Sequence, residues 1–192
     1  METWILPALL GLGLAASCGL KTFLPLLMLS AAARFGWFGV ELNEQLAWVG
    51  ATPALLALGI ATALEFVGDK IPVVDHALSA VGTVTRPAAG VLAASSVFGG
   101  VDPTTAAVAG LVIGAPTALA VHGAQSGTRL ASTATTGGLA NPVVSFLEDA
   151  LAVVTVLVAF VAPLLIPLVV ALVLWAAWRM AKAVRRGFSR PA

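Results

Sequence analysis

Charge is scarce in this chain: 10% of its 192 residues are Asp, Glu, Lys or Arg, whereas 59% are hydrophobic. A soluble domain carries about 25% charged residues, so this composition excludes a water-soluble globule and makes lipid the solvent. Cysteine is nearly absent. The single Cys18 rules out an internal disulfide framework and a cysteine-rich metal site. Only two histidines accompany it, which is too few soft donors for a transition-metal centre. The chain is therefore read as holding no metal and no cofactor. No basic run occurs before the C-terminus, so no nucleic-acid partner is expected. The opening Met1-Glu2-Thr3-Trp4 lacks the basic region of a signal peptide. No P-loop, metal motif or nucleophile–base spacing appears. The chain is read as no enzyme, with no catalytic residues; intramembrane lipid-phosphate chemistry using Arg86 and Arg129 ranks last.

What the chain does have is a succession of apolar runs. At about 20 residues per span, the length predicts an all-α polytopic membrane helical bundle. About six transmembrane helices with broken or re-entrant segments form one domain over residues 1–186, and a short basic cytoplasmic tail follows at 187–192. The first apolar stretch, 4–33, is too long for one untilted span, and Gly11, Gly13, Gly19 and Pro25 offer places to break it. Residues 35–50 form a polar connection flanked by Trp37 and Trp48, placed as interface aromatics. A second span covers 51–68. A third region, 73–98, should kink or break at Arg86-Pro87. Asp102 caps a fourth span with Pro103 at its first position. Residues 122–141, small and hydroxylated, read as neither a good loop nor a good span. A fifth helix starts at Pro142 with Asn141 as its cap, and Pro163 and Pro167 turn it into a sixth. Gly110 and Gly114 mark close helix packing within the chain. The distribution of Lys and Arg places both termini on the cytoplasmic side, and the expected location is a bacterial inner membrane.

The informative residues are the ionisable ones inside apolar runs. Each costs roughly 2.5–3.5 kcal/mol or more at a helix centre unless something offsets it. Glu148 and Asp149 sit early in the apolar run from Pro142. Glu65 and Asp69 are four apart and share one helix face, which calls for a proton, a cation or a basic neighbour. Lys21, Arg86 and Arg129 are the candidate partners. His122 is read as interfacial and Lys70 as snorkelling to the surface. The run Ser132-Thr133-Ala134-Thr135-Thr136-Gly137-Gly138 supplies hydroxyls and permissive backbone, and Asn141 starts the next helix. Broken helices with such ends form binding sites in transporters. The candidate substrate- or ion-binding set is Lys21, Glu65, Asp69, Arg86, Arg129, Thr135, Thr136, Asn141, Glu148 and Asp149.

Three segments together resemble an uncharacterised family of integral membrane proteins known as domain of unknown function 4126. They are Gly19-Leu20-Lys21-Thr22-Phe23-Leu24-Pro25-Leu26, Glu65-Phe66-Val67-Gly68-Asp69-Lys70-Ile71-Pro72 with Asp75, and 132–142 with Glu148-Asp149. Lys21 stands where the family often has Arg, which keeps the charge and loses the planar fork. The resemblance implies a compact helical membrane domain and adds no mechanism. Two functions fit the residues. One is a small transporter or channel for an ion or anionic solute in the lipid bilayer. The other is a non-transporting scaffold or accessory subunit of an envelope enzyme, whose charges are structural salt bridges.

Overall fold

A computed structural model describes residues 2–188, with the side chains of 2–3, 72–73, 76, 177, 180–181 and 183–188 undescribed. Among the described residues the chain is entirely helical apart from turns, an all-α membrane bundle of seven α-helices. They are α1 (Glu2–Leu20), α2 (Leu24–Phe35), α3 (Thr52–Gly68), α4 (Pro72–Ser96), α5 (Pro103–Thr136), α6 (Asn141–Val161) and α7 (Ile166–Phe188). Much of the predicted basic tail, 189–192, lies outside the described residues.

Among the described residues three helices are long and apolar enough to cross a bilayer: α4, α5 and α6. A fourth candidate span is α3 joined to the 3-10 turn Glu44–Gly50, bent by 59° between them. The other apolar runs form shorter helices, α1, α2 and the first part of α7. The long first stretch does break, between Leu20 and Leu24, and Lys21 lies at the break. Pro25 lies in the first turn of α2, where its missing N–H costs nothing.

Three local readings are corrected. Helix α4 continues through Pro87 instead of breaking at Arg86-Pro87. Helix α5 takes in most of 122–141: it runs 34 residues and ends at Gly137, whose φ of 64° closes it. Small hydroxylated residues have only modest helix propensity, and here tertiary packing overrides it. Asn141 is the first residue of α6 and not its cap; its side chain reaches back to Thr133 Oγ1 at 3.0 Å. Asp102 does cap α5. It accepts the Thr105 N–H at 2.9 Å, and this backbone hydrogen bond holds its carboxyl below the usual range.

The bundle is organised around α1, which packs against α4, α5 and α6. Leu14, Cys18, Leu29, Ala93, Ala118 and Val156 form its fully buried apolar core. The outer surface is also apolar, with Leu56, Ile60 and Leu64 on α3 and Leu111 and Val112 on α5 exposed. Side chains facing outward to lipid explain that distribution. Helices α4 and α5 meet backbone to backbone: a Cβ on Gly114 would stand 2.4 Å from the Gly90 carbonyl oxygen.

The connection after α2 is strained. Gly36 closes α2 at φ 67°, and Phe38 then adopts φ 60°. A left-handed conformation in a bulky residue costs on the order of 1–3 kcal/mol. Asn43 anchors the far side of this connection, donating to the Phe98 and Val101 carbonyls at 3.1 and 3.0 Å.

Gly114→Leu should separate α4 from α5 and destabilise the protein by about 2 kcal/mol or more. Gly123→Ala, where an added Cβ meets nothing within 4 Å, should be neutral or stabilising. Thermal unfolding of both variants in detergent checks this contrast; equal melting temperatures would refute the contact.

Candidate functional site

The break between α1 and α2 leaves backbone donors and acceptors without helical partners. Side chains from three other helices satisfy them. Glu65, buried on α3, accepts the Thr22 N–H at 2.8 Å on Oε1 and the Phe23 N–H at 3.1 Å on Oε2. Its negative charge thereby caps the N-terminal end of α2. On the other side, Arg86 of α4 donates from Nη1 to the Gly19 carbonyl at 2.9 Å. Gln125 of α5 donates to the Leu20 carbonyl at 3.3 Å. Gly19 lets α5 come this close, since a Cβ there would lie 2.6 Å from the Ala118 carbonyl oxygen.

Lys21, in the break itself, is fully buried. Its ammonium is held between two carboxylates from different helices, Asp69 at the end of α3 and Asp149 Oδ1 on α6 at 2.6 Å. Asp149 Oδ2 also meets Lys70 Nζ at 3.3 Å, and Lys70 donates to Ser145 Oγ at 3.2 Å. The Lys70 side chain is 41% exposed. It does reach the surface as its sequence setting suggests, but it also ties the buried cluster to the edge of the bundle.

A second group surrounds Arg129 on α5. Its guanidinium grips Glu148 with Nε at 3.1 Å and Nη2 at 2.5 Å from Oε2, while Nη1 donates to Asp75 of α4. Gln125 Nε2 donates to the same Glu148 Oε2 at 2.8 Å, and its Oε1 accepts from Arg86. His122 Nδ1 lies 2.8 Å from Arg86 Nη1. His122 is therefore buried inside the network and not interfacial.

The two groups join through neighbours: Glu148 precedes Asp149, and Gln125 touches both Glu148 and the Leu20 carbonyl beside Lys21. Seven of the candidate residues meet here: Lys21, Glu65, Asp69, Arg86, Arg129, Glu148 and Asp149. Thr135, Thr136 and Asn141 stand apart. Thr135 and Thr136 are exposed and donate to carbonyls of their own helix. The 132–138 segment is thus a helix end near the surface and not an unwound strand of backbone at depth.

Asp75, Gln125 and His122 were not among the candidates, although they complete the site. The signal was periodic. His122, Gln125 and Arg129 fall at i, i+3 and i+7, one face of α5. That face becomes visible only once 103–136 is recognised as a single helix.

Among the described residues no group of three or more His, Cys, Asp or Glu could hold a metal ion. A cavity of about 410 Å³ between α5, α6 and α7 abuts the cluster at Gln125 and Glu148, with walls formed mainly by Val121, Leu147, Leu151 and Leu172.

The family model described as "Domain of unknown function (DUF4126)" matches residues 8–183. No curated protein and no solved structure matches the chain.

Glu65→Ala should orphan two buried amides at the helix break and cost about 2 kcal/mol or more. Glu65→Gln keeps an acceptor oxygen and should fall between it and wild type. Thermal unfolding in detergent orders the three proteins; an Ala variant as stable as wild type contradicts the capping role.

Proposed function

We propose that this chain, which belongs to the DUF4126 family, is a small ion-coupled membrane transporter or channel. Its coupling site is the cluster of Lys21, Asp69 and Asp149. One observation carries the reading. A wholly buried ammonium sits at a helix break, clasped by carboxylates from two other helices. Ionisable residues in that position mark ion pathways and proton relays in membrane proteins, and broken helices house them.

The chemistry follows from charge balance. Glu65 is set against the end of α2. Four cations, Lys21, Lys70, Arg86 and Arg129, then stand with four carboxylates, Asp69, Asp75, Glu148 and Asp149. With Glu65 set aside on its two amides, the remaining side chains balance, four against four. Withdrawal of the Lys21 side chain from this place uncovers two carboxylates, Asp69 and Asp149, facing one another. A proton or monovalent cation that replaces the lost charge restores neutrality, so the lysine and the transported ion compete for the same place. Asp149 bridges this place to the half-exposed Lys70, which gives the cluster a route to water. The reading makes the chain a carrier with no reaction of its own, embedded in a bacterial inner membrane with its C-terminus in the cytoplasm.

A second reading is favoured by one specific observation: Glu65, Asp69, Asp75, Glu148 and Asp149 each already have a cationic or amide partner. Under it the network only holds the helices together. The protein then serves as a scaffold or accessory subunit of an envelope enzyme.

Flux into proteoliposomes carrying a pH-sensitive dye, under imposed gradients of Na⁺, K⁺, Cl⁻ and phosphate, separates the two. Transport predicts flux in wild type and a loss of roughly ten-fold or more in Asp149→Asn, about 1.4 kcal/mol in the barrier, with the melting temperature kept within a few degrees. Silence under every gradient from folded wild type, with Asp149→Asn unfolding at markedly lower temperature, selects the scaffold.

A further inference from the structure

A second, separate concavity lies at the end of the bundle that carries the strained connection after α2. It encloses about 320 Å³ and is lined by Leu10, Phe38, Glu41, Val97, Ala159 and Phe160, among others. That volume is within the range of small-molecule sites, which are mostly apolar with a few placed polar groups. It shares no residue with the Lys21 cluster.

Three features of its wall point the same way. Phe38 and Phe160 stack with ring centroids 5.2 Å apart and an interplanar angle of 13°. Glu41 is the sole ionisable residue lining it among the described residues. Gly99 makes room for Glu41: a Cβ there would stand 3.1 Å from both the Glu41 Cβ and its carbonyl oxygen. Aromatic faces and a carboxylate together attract an organic cation, the faces through their quadrupole and the carboxylate through its charge. Glu41 is exposed at the rim of the cavity, where its charge repels an anion and draws a cation in.

Phe38 adds an independent argument. It stands at φ 60° between Gly36 and Gly39, also left-handed at 67° and 64°. Glycine adopts this conformation without strain, yet the chain places a phenylalanine there and stacks it on Phe160. Strain of this kind persists where surrounding structure over-determines it, and it clusters at ligand clamps. Asn43, bonded to the Phe98 and Val101 carbonyls, fixes the same connection from its other end.

We propose that the cavity lined by the stacked Phe38–Phe160 pair and Glu41 is a binding site for an alkylammonium group. The group comes from a free small amine or from the ammonium headgroup of a membrane lipid; both offer the same chemistry. Trp37 and Trp48, both exposed near this end, suit a depth at the membrane–water interface where either source is available. The proposal does not depend on the transport reading.

The test is calorimetric titration of the full-length protein in phosphatidylglycerol nanodiscs with choline. Its neutral carbon isostere, 3,3-dimethylbutan-1-ol, serves as the control. Choline should bind saturably and the isostere should not. Glu41→Gln should weaken choline binding roughly ten-fold or more. Phe38→Gly should weaken it about two- to five-fold while its melting temperature stays level or rises, because glycine relieves the backbone strain. That opposite movement distinguishes a binding role from a packing role. Adding phosphatidylethanolamine to the nanodiscs identifies the source: competition with choline assigns a lipid headgroup, and no competition assigns a free amine. Choline indistinguishable from its isostere, or undiminished binding in Glu41→Gln, overturns the site.

Discussion

Two carboxylate oxygens on Glu65 hold the rest of this structure in place. They accept the backbone N–H groups of Thr22 and Phe23 where the first apolar stretch breaks. In lipid an unsatisfied amide costs several kcal/mol, and irregular backbone is tolerated only where protein or water satisfies it. The break can exist because α3 brings this carboxylate to it. Once the break exists, Lys21 is fixed at its centre. Asp69 lies one helical turn beyond Glu65 on α3 and is in place to receive the lysine. Arg86 and Gln125 complete the other half by donating to Gly19 and Leu20. The charged cluster thus grows out of a backbone accounting problem, and three other helices are committed to solving it.

The distribution of polarity follows from the same constraint. Seven charged side chains are buried inside among the described residues, while leucine, isoleucine and valine cover much of the outside. Without a hydrophobic force between helices in lipid, association rests on close packing and interhelical hydrogen bonds. Both are present around α1. Ser17 donates to the Ala152 carbonyl of α6 at 2.9 Å, and small residues let α4 and α5 touch through their backbones. Arg129 has a planar fork that spans Glu148 and Asp75, so one side chain joins α4, α5 and α6. The compact ammonium of Lys21 makes an equivalent junction between the break, α3 and α6 with a single nitrogen.

Membership of the cluster was largely legible in the sequence, because an ionisable residue in an apolar run cannot be idle. Lys21, Glu65, Asp69, Arg86, Arg129, Glu148 and Asp149 stand out on that ground alone, and the pairings of Lys21 with Asp69 and Arg129 with Glu148 lay within the expected alternatives. Partner choice in detail was not legible. Nothing in the order of residues says that Glu65 serves two amides while Asp69 takes the lysine. The 122–141 segment was misread because glycine, serine and threonine weaken helical propensity, whereas α5 gains its stability from packing against α1 and α4. That misreading hid Gln125 and gave Thr135, Thr136 and Asn141 a prominence the geometry does not support. Arg86-Pro87 misled in the same way, since a proline inside a buried helix can be accommodated by its neighbours.

The position of Lys21 also has a consequence for biosynthesis. Its partner Asp69 follows 48 residues later in the chain, and synthesis proceeds at about 5–20 residues per second. For roughly 2–10 s, by that rate, α1 exists with a lysine at its end and no carboxylate to receive it, and Asp149 arrives later still. A lysine in that condition can hold its ammonium at the aqueous boundary by snorkelling until α3 supplies the carboxylate. Insertion of the N-terminal segment is then completed from downstream, and the order in which the ribosome delivers the helices becomes part of how the bundle acquires its topology.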